Sequence, residues 1–274
     1  MQHLRLVQNK SYGTKKIITE LVNVNKKFNN GLLALKNINL KIFQNDFLTL
    51  LGKSGCGKTT IMKLLCGLLK PTNGYVNWPT STFTNLSDNP VNLSVVFQEP
   101  NLMPWLNVFK NIQIPLKLNR TDRYSSVSKV TESLKIVGLD KFAHLYPNQL
   151  SGGMKMRVAL ARALVTNPKI LLLDEPFASL DELTRFNLND ELLNIFKKKK
   201  LTVIFIPHSI FESVYLSNRI ALISNQPGTV LEEIELKTRE KKIQDYRSSQ
   251  QYLEKCKMIS KKIYSYDKIN SQHD

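Results

Sequence analysis

The chain is poor in several features that define whole protein classes. Among its 274 residues only three are cysteines, Cys56, Cys66 and Cys256. Their spacing fits neither a disulfide framework nor a paired-cysteine metal knuckle, and a reducing cytoplasm is the simplest setting for them. No apolar run approaches the roughly 18 residues that cross a bilayer, which argues against an integral membrane protein. The opening "MQHLRLVQNKSYGTKK" has no apolar segment of the kind a secretory signal needs. His3, His144 and His273 are scattered without ligand spacing, so no transition-metal site is expected. No internal repeat is seen.

Acidic residues are also scarce, 22 against 39 Lys and Arg, for a net charge of +17. Residues 1–27 hold six basic against one acidic, and residues 237–274 ten against five, so ten of the seventeen excess charges lie at the two ends. Basic ends suit anionic lipid headgroups as well as nucleic acid, and charge alone selects no partner. "KKKK" at 197–200 reads as a solvated helix end or loop.

What is present is enough for a substantial core, with 42% hydrophobic residues in a length that suits one large domain or one domain with an insertion. Residues 18–28 and 35–42 read as strands joined by the turn "NNG", and residues 46–52 as a short apolar strand ending in glycine. Ile61, Leu64, Leu65, Leu68 and Leu69 then recur at helical spacing, stopping before Pro71. A strand follows at 93–97. Residues 101 to about 165 turn to helical spacing. "KILLLDE" (169–175) and "LTVIFIP" (201–207) are the near-continuous apolar runs of buried parallel strands. Strands at 219–224 and 229–236 follow, then a polar tail with weak helical periodicity at Tyr252, Cys256, Ile259 and Ile263. The alternation implies α/β architecture around a parallel sheet.

Gly52-Lys53-Ser54-Gly55-Cys56-Gly57-Lys58-Thr59 matches G-x-x-x-x-G-K-[ST] between a strand and a helix. Its glycines let successive backbone N–H groups curl around an anion, and the helix N-terminus, through Thr60, adds partial positive charge. Lys58 can reach terminal phosphates and Thr59 can place a hydroxyl on Mg²⁺. The loop reads as a triphosphate cradle. Cys56 sits inside it, where amides and Lys58 would lower its thiol pKa.

"ILLLDEP" (170–176) ends a buried strand in two acids. Asp174 would hold Mg²⁺ and Glu175 would orient the attacking water as general base; adjacent acids after a strand can also be a helix N-cap. In "LSGGMKMRVALARAL" (150–164), Ser151, Gly152 and Gly153 open a second helix suited to phosphate. One nucleotide already has its loop, so a second favours two copies sandwiching two nucleotides; an ordinary Ser-capped helix is the plainer alternative.

Over roughly residues 17–236 the chain resembles the ATP-binding subunit of an ABC transporter. That resemblance implies a P-loop NTPase core of RecA-like fold with an N-terminal antiparallel β region and an inserted α-helical subdomain. The expected division is a discontinuous ATP-binding core (1–100 and 166–237), a helical subdomain (101–165) and a basic C-terminal tail (238–274). Phe28 matches the aromatic that stacks on adenine, or is a core phenylalanine. Gln98 in "VVFQEP" falls where the family senses Mg²⁺ and water, Asp181 in "ASLD" where it communicates across the dimer, and His208 at the γ-phosphate switch. Three departures stand out: Met154 replaces the usual glutamine after "LSGG", "QND" (44–46) replaces the usual Gly-Glu entry to the P-loop strand, and Pro207-His208-Ser209 replaces Thr-His-Asp. Losing the acid at the last of these would remove a charge beside the catalytic water and slow turnover.

"FQEPNLMPWLNVFKNI" (97–112) resembles importers of nitrate, sulfonates, taurine and thiamine-precursor pyrimidines. Met103, Pro104 and Trp105 would line a groove for a permease helix, or Trp105 would be core. The implied protein is an ATPase using ATP and Mg²⁺, a homodimer docked on a permease and served by a solute-binding protein. It would lie peripherally on the cytoplasmic face of the inner membrane, with no direct nucleic-acid partner. A soluble ABC ATPase, nucleic-acid-related or cluster-assembling, is the alternative.

Overall fold

The computed structural model describes residues 15–78, 93–236 and 246–270. His3 and His273 fall outside them.

Two antiparallel strands come first among the described residues, β1 (Ile17–Lys27) and β2 (Leu33–Phe43), followed by β3 (Phe47–Leu51) and helix α1 (Lys58–Leu65). A short strand β4 (Asn73–Asn77) returns to pair with β1, completing a three-stranded sheet ordered β2-β1-β4. Strand β5 (Leu93–Val96) leads into three helices, α2 (Val108–Leu118), α3 (Arg123–Ile136) and α4 (Gly152–Leu164). Strand β6 (Ile170–Asp174), helix α5 (Glu182–Lys199), strand β7 (Thr202–Ile206), helix α6 (Ile210–Leu216) and strands β8 (Arg219–Ile223) and β9 (Val230–Glu235) follow. Helix α7 (Gln250–Asn270) comes last.

The main sheet is ordered β5-β6-β7-β3-β8-β9; its first five strands are parallel and β9 is antiparallel. The apolar runs are explained by alternation across it. Leu48, Leu50, Ile170, Leu172, Ile204 and Ile206 point into one core, with Ile61 and Leu64 of α1. Phe47, Leu51, Leu171, Leu173, Val203 and Phe205 point into the other, with residues of α4, α5, α6 and α7. Each such Leu, Ile or Phe contributes roughly 1.5–3 kcal/mol by leaving water. A third core lies among α2, α3 and α4, built on Val108, Ile112, Val130, Leu134, Val158 and Ala161.

Two elements go beyond the sequence expectation. Strand β4 is short, largely exposed and begins Asn-Gly, so it has no period-2 signal; only its register with β1 defines it. The tail's weak periodicity becomes a helix of 21 residues whose Tyr252, Cys256 and Ile259 are buried. Ahead of it, Arg247 stacks on the rings of Phe186 and Tyr215 and pairs with Asp190, while the Tyr252 hydroxyl donates to the Phe211 carbonyl. The lysines at 197–200 do end a helix: Lys197–Lys199 form the last turn of α5, where positive charge suits the dipole, and Lys200 caps it in the left-handed region.

Candidate functional site

Parallel strands β5, β6, β7 and β3 all release their chains at one edge, the edge where α/β proteins bind ligands. Gln98 lies two residues beyond Val96, and Glu175 two beyond its pairing partner Leu173. Asp174 pairs with Ile206, two residues before His208. The loop Gly52–Gly57 follows β3.

That loop needs its glycines. Gly57, at φ 102, is the N-cap of α1, a conformation side-chain-bearing residues rarely adopt. It offers no capping side chain, and the first turn of α1 holds no acid, so the helix N-terminus keeps its positive end for a ligand. Lys58 is only 8% exposed; its ammonium donates to the carbonyls of Gly52 (2.9 Å) and Lys53 (2.8 Å), laying it along the loop.

The Thr59 hydroxyl donates to Asp174 Oδ1 at 3.2 Å. Burial pushes the Asp174 carboxyl up, the Thr59 hydroxyl opposes this, and the charge of Glu175 pushes it further up. A half-buried carboxylate in this state is stabilised by an added cation. One carboxylate and one hydroxyl suit Mg²⁺, which draws its remaining ligands from phosphate and water. Among the described residues no three His, Cys, Asp or Glu converge on a metal site.

Glu175 holds a φ of 44°, left-handed for a residue with a side chain, and its N–H donates to the Ile206 carbonyl at 3.0 Å. Such strain costs on the order of 1–3 kcal/mol and gathers at functional sites. His208 is exposed, with its backbone N–H on Glu212 Oε2 at 3.0 Å. The Ser209 hydroxyl accepts the Glu212 N–H and closes a capping box at the start of α6. Phe28 packs half-buried against the core that contains Leu35 and Cys56, with the Lys26 ammonium 5.4 Å from its ring centre.

The Cys56 expectation is overturned. Its thiol is 1% exposed, and burial pushes its pKa up more strongly than Lys58 pulls it down. The Cys56 backbone N–H donates to the Lys53 carbonyl at 3.4 Å, within the loop. Trp105 is not core either, being 70% exposed.

Ser151, Gly152 and Asp181 form a separate group. Ser151 caps α4 and Asp181 caps α5, accepting the N–H groups of Met154 and Thr184. The two starts touch, since a methyl added at Gly153 would lie 2.7 Å from Thr184 Cγ2. Ser151, Gly152 and Asp181 are exposed.

Sequence reasoning missed Asn111. It is fully buried and holds the 103–107 loop through four bonds: the Met103 N–H to its Oδ1, and its amide to the carbonyls of Met103, Leu106 and Asn107. Only its place on the apolar face of α2 could have marked it.

The ABC transporter family profile matches residues 35–178. The chain belongs to the ABC transporter family. An uncharacterized ABC transporter ATP-binding protein of Methanocaldococcus jannaschii is 42% identical over 224 residues, 81% of this chain and 83% of that protein. An aliphatic sulfonates import ATP-binding protein of Bacillus cereus is 45% identical over 204 residues, 74% of this chain and 79% of that one. Among solved structures, a dimeric ATP-binding cassette in a post-hydrolysis state bound to ADP and Pi aligns with a TM-score of 0.70 at 33% identity, over 81% of this chain and all of that one. The ABC profile spans the phosphate loop, Gln98, Ser151 and Asp174–Glu175, and stops short of Asp181 and His208. No described helix is long and apolar enough to cross a membrane.

Proposed function

We propose that this ABC protein is the ATP-hydrolysing subunit of an importer, working as a dimer bound peripherally to a membrane permease. The observation that carries it is the Thr59–Asp174 contact across the phosphate loop, beside a Glu175 held in a strained conformation.

The loop from Gly52 to Thr60 would wrap the phosphates with its N–H groups, and Lys58 would swing from the loop carbonyls to the terminal phosphates. Thr59, Asp174 and Gln98 would hold Mg²⁺, which screens the phosphate charge. Glu175 would take a proton from the attacking water, and His208 would donate a hydrogen bond to the terminal phosphate as charge builds. Phe28 would stack on the adenine. Ser151, Gly152, Gly153 and Asp181 would meet the nucleotide of the second copy.

The division into a core (1–100, 166–237), a helical block (101–165) and a C-terminal segment (238–274) belongs to the same reading. It is supported by the separate core among α2, α3 and α4. Trp105 would anchor the permease, an exposed aromatic on a loop fixed by Asn111. A solute-binding protein and the cytoplasmic face of the inner membrane follow from the importer reading.

The test is to recover tagged Glu175→Gln protein from detergent-solubilised membranes with Mg-ATP. A polytopic permease in stoichiometric amount is expected. Recovery of soluble proteins or nucleic acid alone would favour the soluble alternative.

A further inference from the structure

The turn from Ser224 to Thr229, between β8 and β9, lies far in sequence from the phosphate loop and matches none of its motifs. It nonetheless closes against that loop. A methyl added at Gly228 would lie 2.2 Å from the Cys56 carbonyl oxygen, 3.2 Å from Leu35 Cδ2 and 3.3 Å from Ile223 Cγ2. The first of these is a backbone atom of the cradle, which can give way only by moving the loop. The same seam recurs at two other glycines. A methyl at Gly52 would lie 2.7 Å from the Ile223 carbonyl, and one at Gly57 would lie 2.6 Å from Leu35 Cδ2.

The turn is also tied to the antiparallel sheet. The Gly228 N–H donates to the Ala34 carbonyl and the Lys36 N–H donates to the Gly228 carbonyl, both at 2.9 Å, pairing Gly228 with Leu35 at the start of β2. Ser224 closes the turn on itself: its hydroxyl oxygen accepts the Thr229 N–H at 2.8 Å, and its backbone N–H donates to the Thr229 carbonyl at 2.9 Å. Phe28 packs against the core that also holds Leu35 and Cys56.

We propose that Gly228 is a positioning residue for the phosphate loop: the Ser224–Thr229 turn wedges the Cys56 carbonyl from behind and sets the cradle at a fixed distance from β2. This rests on the reading of Gly52–Thr59 as a nucleotide site. Glycine is required because two backbones meet there with no room for a Cβ. The wedge holds the loop N–H groups at their phosphate-binding spacing before ligand arrives. It also locks the adenine-side strand pair and the phosphate loop into one frame.

The test compares Mg-ADP binding, measured by calorimetry, in the wild type, Gly228→Ala and Ser224→Ala, together with the rate at which Cys56 reacts with a thiol reagent, read by mass spectrometry. Gly228→Ala is expected to bind Mg-ADP at least about ten-fold more weakly, the scale on which displaced binding groups lose their effect. It should also expose Cys56, which is shielded in the wild type. Ser224→Ala, which relaxes the turn without adding an atom, should move both readouts in the same direction by less, and it gives the answer if Gly228→Ala does not fold. A merely structural turn would lower the melting temperature without changing affinity or Cys56 reactivity in the folded protein. That result, in a wild-type background that binds Mg-ADP, would overturn the wedge. A wild type that binds no Mg-ADP would instead overturn the nucleotide-site reading.

Discussion

The phosphate loop at Gly52–Thr60 is backed by its own chain at Cys56 and Lys58 and opens to solvent at Lys53, Ser54, Gly55 and Thr59, whereas the loop at Ser151–Gly153 is buried at Gly153 alone. Around the first, Cys56 and Lys58 are buried, Thr59 reaches Asp174, and the turn at Gly228 closes the rear. Around the second, Gly153 packs against the start of α5, and Ser151, Gly152 and Asp181 stay exposed. Both are helix N-termini with an affinity for anions. Their difference is in who completes them. In the proposed function the first is completed by a nucleotide, the second by a nucleotide carried by another copy of the chain.

The comparison breaks most visibly at Glu175. Glu175→Gln keeps the shape and removes the proposed base, so phosphate release should fall by about 10²–10³ while ATP binding by calorimetry is retained. Next comes the outward loop. Gly153→Ala pushes on Thr184 and misdirects α4, so turnover should fall by about ten-fold or more. Mg-ADP binding by the isolated chain should be unchanged, because the phosphate loop is untouched. Equal loss of binding in Gly153→Ala would erase the distinction between the two loops.

A smaller effect is expected at Asn111. Asn111→Ala strands backbone groups of the 103–107 loop and should cost about 2–3 kcal/mol in denaturant unfolding. It should also weaken recovery of the permease while leaving nucleotide binding alone. The smallest is Ser209→Ala, which removes the cap of α6 at about 1 kcal/mol. Ser209→Asp keeps the cap and adds charge beside the water, so turnover should rise a few-fold; no rise would remove Ser209 as a brake.

Legibility in the sequence followed the range of the forces involved. Strands β3, β6 and β7 are buried on both faces, and their near-continuous apolar runs announce this locally. The phosphate loop was legible because its backbone geometry demands a fixed residue pattern within eight positions. Strand β4 was not, since five largely exposed residues carry no period and only pairing with β1 orders them. Helix α7 was blurred by lysines on its outer side, while one narrow stripe at Tyr252, Cys256 and Ile259 docks it. Cys56 was misjudged because the sequence displays its cationic neighbour but not its burial, and burial is the larger effect. The Gly228–Cys56 approach spans most of the chain and leaves no local trace.

The most direct test of the composite site is the mass of Glu175→Gln in solution, by light scattering, with and without Mg-ATP. A monomer that becomes a dimer only with Mg-ATP, and that remains a monomer when Gly153→Ala is added, is the expected result. A chain that binds Mg-ATP and stays monomeric at every concentration would contradict a site completed by a second copy.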